Sequence, residues 1–246
     1  MTITEIILCF IIYSFIGWLW EGLITLIREH RIINRGFLNG PYCPIYGAGA
    51  LIFLFIGQHI LDPVKLFFIG GAIACVLEYA TSFTMEKLFK ARWWDYTKYP
   101  FNLNGRICLY GFIAFGGASV AIRYLHPHLL EFIQSIPNNH IWAIVLTAIF
   151  TADFISTNQS FARFNKILRD YQATLRKGRV GQFFDANSRR VRRILTWQQR
   201  RILKAFPSFQ SNYDKAFNEV QKLYKTSKFK PEKTAHARKK AKKILK

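Results

Sequence analysis

The feature that most constrains this chain is a series of apolar runs, each about as long as a membrane-crossing helix. Residues 6–27 contain one charged residue, Glu21, and residues 42–61 contain none. Residues 66–85 contain only Glu78. A bilayer core takes about 20 apolar residues as helix. The chain therefore contains at least three predicted transmembrane helices.

Two later runs are less apolar. Residues 107–125 contain only Arg123 as a charged residue, and residues 141–158 contain only Asp153. Either could instead be a helix of a soluble core. With both included, the prediction is an all-α, multi-pass integral membrane bundle of about five helices, at 6–27, 42–61, 66–85, 107–125 and 141–158. An amphipathic helix on the outer surface is expected to begin at His126-Pro127 and to end before Pro137.

The charge is divided very unevenly along the chain. Residues 1–158 hold 10 of the 35 Lys and Arg and 9 of the 14 Asp and Glu, a net charge of +1. Residues 159–246 hold the other 25 and 5, a net charge of +20. We therefore divide the chain into a transmembrane domain, 1–158, and a basic, largely helical tail, 159–246. The lysine-rich end, from about 225, has too few apolar residues to fold and is expected to be disordered.

The basic residues also predict an orientation. Successive connections carry three, one, five and one Lys or Arg before the 25 of the tail. By the positive-inside rule, the N-terminus lies outside, and the first and third connections and the tail lie in the cytoplasm. Such a tail predicts contact with anionic lipid headgroups, although a solvated tail that merely obeys the topology rule is an alternative. Binding of nucleic acid is not expected, since no structured motif for it is present.

Three carboxylates fall inside predicted spans, where a charge is costly and often functional. Glu21, Glu78 and Asp153 lie five to seven residues before the cytoplasmic ends of their spans. At 1.5 Å per residue they share one layer roughly 8–10 Å inside the membrane boundary. Glu86 continues the polar face of the third span. We interpret these acids as walls of a substrate pathway that opens to the cytoplasm. The alternative is a structural layer of salt bridges, with Arg35, Lys87, Arg92 or Arg106 as the cations.

Both long cytoplasmic connections have unusual sequences. The first breaks regular helix repeatedly and could line the same pathway or form a simple turn. The residues singled out in it are Gly36, Gly40, Pro41, Pro44, Tyr46 and Gly47. The second carries Trp93 and Trp94 among charges, as expected of a segment in the headgroup layer. Its hydrogen-bonding groups exceed what anchoring requires, and they are Asp95, Asn102, Asn104 and Arg106.

These connections carry a family resemblance. The segments GFLNGPYCPIYG (36–47), WWDY (93–96) and PFNLNGRI (100–107) resemble the ABC-transporter type IV, or CmpB-like, family of bacterial membrane proteins. The resemblance covers residues 1 to about 157 and leaves the basic tail outside. It implies a multi-spanning protein of the bacterial inner membrane that acts as a permease-like component. No catalytic or binding residues come with it.

Several kinds of chemistry lack their motifs. No G-x-x-x-x-G-K-S/T loop is present, so an ABC role would need a separate ATPase subunit. No H-E-x-x-H or G-x-S-x-G motif supports catalysis. The four cysteines stand far apart without C-x-x-C spacing, and we interpret them as small buried apolar residues. No metal or cofactor is expected.

Three functions remain open from the sequence. The first is a membrane transport component without its own ATPase. The second is an integral membrane enzyme on lipid-linked substrates, with Glu21, Glu78 or Asp95 as acid or base and Arg106 holding a phosphate. The third is a scaffold that recruits a partner through the tail.

Overall fold

The computed structural model describes residues 1–30, 34, 36–89, 92–176, 197–199 and 201. Up to residue 176, the described part of the chain forms five helices: α1 (Ile3–Glu29), α2 (Pro44–Gly57), α3 (Pro63–Phe89), α4 (Leu109–Ser135) and α5 (Asn139–Arg176). Within the described residues no strand forms, and the one isolated bridge joins Leu103 to Ile107. The predicted all-α fold is confirmed.

Among the described residues, three helices are long and apolar enough to cross a membrane, judged by length and composition. They cover Ile3–Ile27, Pro63–Phe89 and Asn139–Lys166, and at most 33% of the most apolar window in each is buried within the protein. Large apolar side chains therefore face outward, as expected of helices in lipid. The helix α2 is apolar but only 14 residues long, about 21 Å at 1.5 Å per residue. The count of five spans stays a prediction.

The helix α4 differs from the prediction for its second half. The expected outer amphipathic helix is not a separate element, because α4 runs through Pro127 to Ser135. Contacts with α1 hold this half in place: the hydroxyl of Tyr13 lies 3.2 Å from Nδ1 of His126. Gln134 also donates a 2.9 Å hydrogen bond to Glu5. Contacts distant in sequence thus override the helix-breaking tendency of proline.

Contacts divide the chain after Asn158, into Met1–Asn158 and Gln159–Lys246. In the second unit, α5 ends at Arg176 and the side chains of Phe161 and Phe164 are buried. The remaining predictions for the tail lie outside the described residues, apart from 197–199 and 201.

Glycines allow the helices of the first unit to approach closely. A Cβ at Gly47 on α2 would overlap Ser14 and the carbonyl of Phe10 on α1. A Cβ at Gly70 on α3 would overlap Ser119 on α4. The core beside these contacts consists of Leu8, Cys9, Tyr13, Ala50, Ile133 and Ala143. All four cysteines are free thiols, and Cys9, Cys43 and Cys108 are buried. This packing determines where the ends of the helices meet, and it brings the residues of the connections together.

Candidate functional site

The two long connections lie at one end of the first unit, which we call the loop end. It comprises the ends of α1 and α3, the beginnings of α2 and α4, and the described residues that join them. Tyr46 in the first turn of α2 reaches Glu21 near the end of α1. Tyr96, from the connection between α3 and α4, reaches Glu78 near the end of α3. Most of the residues singled out from the sequence are therefore at the loop end.

Glu21 is held by a tyrosine of the neighbouring helix. The Tyr46 hydroxyl donates a hydrogen bond to Oε1 of Glu21 at 2.6 Å. The ring of Tyr46 crosses α1 at Gly17, where any Cβ would overlap it. Residues 17 and 21 are four apart and share one helix face. Gly17 thus provides the space that lets Tyr46 reach the carboxylate.

Glu78 is buried beside this pair. The Tyr96 hydroxyl donates a hydrogen bond to Oε1 of Glu78 at 3.3 Å. The other carboxylate oxygen, Oε2, is buried and has no hydrogen-bond partner among the described residues. Gly111 on α4 leaves room for it, since a Cβ there would stand 3.2 Å from Oε2. A buried acceptor without a donor is costly, so Oε2 is the atom of this site that most needs a partner.

Glu21 and Glu78 also share an electrostatic environment. The pKa of Tyr96 is raised above its ordinary value by its burial, and then by the negative charges of Glu78 and Glu21. Tyr96 therefore keeps its proton and remains a donor to Glu78 at neutral pH. We call Glu21 and Glu78 the acidic pair.

The described basic residues of the connections do not neutralise the acidic pair. Arg92 and Arg106 both bind Oε2 of Glu86, at 2.9 and 2.7 Å. Arg106 also donates a 3.0 Å hydrogen bond to Ser82, which leaves its guanidinium engaged in structure. The ammonium of Lys87 lies over the ring of Phe83, 4.3 Å from its centroid. Arg35 lies outside the described residues. The salt-bridge layer considered from the sequence therefore forms around Glu86, and within the described chain no Lys or Arg pairs with the acidic pair.

Asp153 occupies a different environment, against the first connection. It accepts hydrogen bonds from the side chain of Asn39 at 2.6 Å, the backbone N–H of Gly40 at 2.8 Å and the hydroxyl of Tyr42 at 2.9 Å. Thr157, one turn later on α5, adds a further donor at 3.2 Å. Asp153 therefore fastens the first connection to α5. In the described structure it makes no hydrogen bond to the acidic pair, although the sequence placed all three acids in one layer.

The motif of the first connection positions the beginning of α2 close to α1. The N–H of Gly36 donates to Oδ1 of Asn34 at 2.9 Å. Pro41 is exposed and Pro44 opens α2, where the lack of an N–H costs nothing. The N–H of Cys43 donates to the carbonyl of Ser14 at 2.8 Å. These contacts account for the segment as a structured turn that delivers Tyr46.

The second connection is a turn built largely from its own hydrogen bonds. Its two sides are joined where the N–H of Tyr96 donates to Gly105 O at 2.8 Å and the indole of Trp94 to Arg106 O at 2.9 Å. Asn104 has a φ of 54° and Gly105 a φ of 67°, in the left-handed region that asparagine and glycine tolerate best.

The remaining polar residues of this connection also have structural partners. Asp95 accepts from the N–H of Thr97 at 3.0 Å. Asn102 accepts from Gly105 N at 3.1 Å, and Asn104 donates to the hydroxyl of Tyr79 at 3.0 Å. Trp93 packs between Phe37 and Phe89, with ring centroids 5.6 and 5.4 Å away. The hydrogen-bonding run in the sequence thus shapes the turn that presents Tyr96 and Arg106.

A cavity of about 90 Å³ lies beside the acidic pair, between α2, α3 and α4. Glu78 and Tyr46 line its polar end, and Leu77, Phe53 and Phe115 are among its apolar walls. Ala118 lines the cavity and is exposed, so the cavity opens on the side of the bundle. The site therefore combines a buried carboxylate, one oxygen of which has no hydrogen-bond partner among the described residues, with an adjoining apolar space.

Sequence reasoning missed several partners at these sites. The sequence indicated no individual role for Tyr96, Asn39 or Tyr42. The pairing of Asp153 with Thr157 was detectable, because residues four apart share a helix face. The contacts of Asn39 and Tyr42 with Asp153 span 114 and 111 positions, and no local pattern indicates them.

Comparison with known proteins gives one match. A family model described as "Putative ABC-transporter type IV" matches residues 8–158. No curated protein matches the chain. No solved structure matches it either. The matched region contains both connections, the acidic pair, Asp153 and the cavity.

Proposed function

The chain belongs to the Putative ABC-transporter type IV family, and from that premise we propose that it is a permease-like component of a membrane transport system. The observation that carries the proposal is the acidic pair, whose hydrogen-bond donors are tyrosines and not basic residues. A buried charge that serves only structure is usually paired with an opposite charge, whereas intramembrane carboxylates often mark substrate or ion pathways. Glu86 shows that pairing at the same end of the bundle.

The contrast between Glu86 and Glu78 supports this assignment. Glu86 has two arginine partners and its side chain is 35% exposed, whereas Glu78 is 6% exposed and one of its oxygens lacks a partner. A carboxylate with spare acceptor capacity beside a cavity is suited to a transient ligand. The acidic pair and the cavity therefore form the proposed substrate pathway, while Glu86 and Asp153 hold the connections around it.

The topology proposed for this function follows the distribution of charge. The N-terminus lies outside the bacterial inner membrane, and the loop end and the basic tail face the cytoplasm. The tail contacts anionic headgroups. If transport is driven by ATP, a separate subunit supplies its hydrolysis, since the chain has no P-loop sequence.

The proposal can be tested by asking whether water reaches the cavity from both sides of the membrane. In full-length protein with its four cysteines replaced, single cysteines are introduced by Leu77→Cys and, as the matched control, Val76→Cys. Leu77 lines the cavity, whereas its neighbour Val76 is 70% exposed and faces outward. A charged, membrane-impermeant thiol reagent is then added to each side of sealed vesicles in turn.

A transport pathway predicts that the cysteine at position 77 reacts with reagent from both sides and that the one at position 76 reacts from neither. Reaction at position 77 from one side only would overturn the transport proposal and favour an enzyme with a one-sided site. No reaction beyond that at position 76 would also overturn the proposal, because water would then reach the cavity from neither side.

A further inference from the structure

The residues that line the cavity also indicate which class of ligand it binds. We infer that the cavity binds an amphiphilic cation, with an ammonium head at the acidic pair and an alkyl body along the apolar walls. This inference rests on the proposed function. The inference uses the unpartnered oxygen of Glu78, the shape of the cavity and the charge around it.

The head group is indicated by what the acidic pair lacks. Oε2 of Glu78 is a buried acceptor without a donor among the described residues, and Glu21 brings a second carboxylate within electrostatic range of the same tyrosine, Tyr96. No Lys or Arg of the described chain compensates either acid. An ammonium group supplies both the missing N–H donor and the missing positive charge. Charge-assisted hydrogen bonds are stronger than those between neutral groups.

The body of the ligand is indicated by the walls and the opening. Away from Glu78 the cavity runs along α3 as far as Gly70, a distance of about 12 Å at 1.5 Å per residue. Along this length Phe53 and Ile73 contribute apolar surface. The exposed Ala118 marks an opening on the side of the bundle, where lipid chains would surround a transmembrane helix. A molecule already dissolved in the bilayer could enter there.

The experiment measures binding to the full-length chain in phosphatidylcholine nanodiscs by titration calorimetry, with empty nanodiscs as the reference. The probes share one alkyl chain and differ in the head: decylammonium, decyltrimethylammonium, decanol and decanoate. Decylammonium should bind saturably at one site per chain, at least about tenfold tighter than each of the others. Its three N–H donors distinguish it from the trimethylated probe, and its charge distinguishes it from decanol.

Two variants locate the site, and a third serves as control. Glu78→Gln removes the charge, and Ala74→Phe fills the cavity from α3. Ala72→Phe adds the same side chain at an exposed position of α3 that does not line the cavity. The first two should weaken decylammonium binding at least about tenfold, and the control should leave it unchanged.

Three results would overturn the inference: binding no different from that of empty nanodiscs, equal affinity for all four heads, or equal affinity of the control and the cavity-filling variant. The head-group comparison uses the unaltered protein, so it decides the matter even if a variant fails to fold. Labelling of the cavity from both sides without a preference for decylammonium would leave the transport proposal standing and reject this ligand class. If Glu78 instead carries a proton, the same absence of head-group preference is expected.

Discussion

The hydroxyl of Tyr46 donates a 2.6 Å hydrogen bond to Oε1 of Glu21. The two residues lie on different helices, and the ring that makes the bond crosses α1 at Gly17. The bond therefore joins the first turn of α2 to the last part of α1. It holds the cavity wall and the acidic pair in a fixed relation.

Removing this hydroxyl tests how much the bond contributes to stability. Tyr46→Phe leaves the partly buried Glu21 with one donor fewer, which should cost about 1 kcal/mol and lower the melting temperature by a few degrees. A thiol-reactive fluorophore that reports exposure of the buried cysteines on heating measures this in detergent. Tyr110→Phe is the control, since Tyr110 is 60% exposed. Equal melting temperatures for the two variants would contradict the prediction.

Two glycines of α1 allow a matched test of the helix contact. A Cβ at Gly17 would overlap the ring of Tyr46, whereas nothing of the described chain lies within 4 Å of a Cβ at Gly22. Gly17→Ala should therefore lower the melting temperature clearly. Gly22→Ala should leave it unchanged or raise it slightly, because alanine loses less backbone entropy on folding. If Gly17→Ala is as stable as Gly22→Ala, Tyr46 does not cross α1 at this point.

Asp153 should control the order of the first connection. Asp153→Asn replaces one acceptor oxygen with an amide donor that faces the N–H of Gly40 or the side chain of Asn39. Hydrogen exchange at the amide of Gly40 should speed up by at least about tenfold, the equivalent of 1.4 kcal/mol of lost protection.

Asp62→Ala provides a crossed control for this measurement. Asp62 accepts from the N–H of Val64 at 2.8 Å at the beginning of α3. Its replacement should speed exchange at Val64 and leave Gly40 protected. Faster exchange at both sites in either variant would indicate general destabilisation, and the specific role of Asp153 would then be rejected.

The salt bridge around Glu86 should contribute measurably to stability. Arg106 is 8% exposed and binds both Glu86 and Ser82. Arg106→Gln should cost on the order of 2 kcal/mol, less than the roughly 3–5 kcal/mol of a fully buried pair, because Arg92 remains on a Glu86 that is partly exposed. Lys87→Gln, which removes a cation stacked on Phe83, should cost less than about 1 kcal/mol. The same thermal assay ranks the two, and a larger loss from Lys87→Gln would refute the assignment.

The sequence predicted the fold class and drew attention to the carboxylates within the apolar runs and the polar residues of the connections, because both are visible in local composition. The lengths of the apolar runs indicated α1, α3 and α5, and the glycine- and proline-rich connection indicated a structured turn before α2. The expectation of a separate helix from His126-Pro127 was wrong, since α4 runs through Pro127 beside a contact between His126 and Tyr13. Those two residues are 113 positions apart in the sequence, and no local sequence pattern indicates their contact.

What the sequence by itself determined is that this chain is a membrane protein with carboxylates among its apolar helices. Apolar runs of this length are stable in lipid whatever their neighbours, so the conclusion needs no knowledge of packing. Only the tertiary structure decided which carboxylate received which partner. Arg92 and Arg106 bind Glu86, and Asp153 accepts hydrogen bonds from the first connection. The acidic pair accepts hydrogen bonds from tyrosines. The physical reason is that hydrogen bonds and ion pairs act over a few ångströms, and the distances between these groups follow from the way the helices pack.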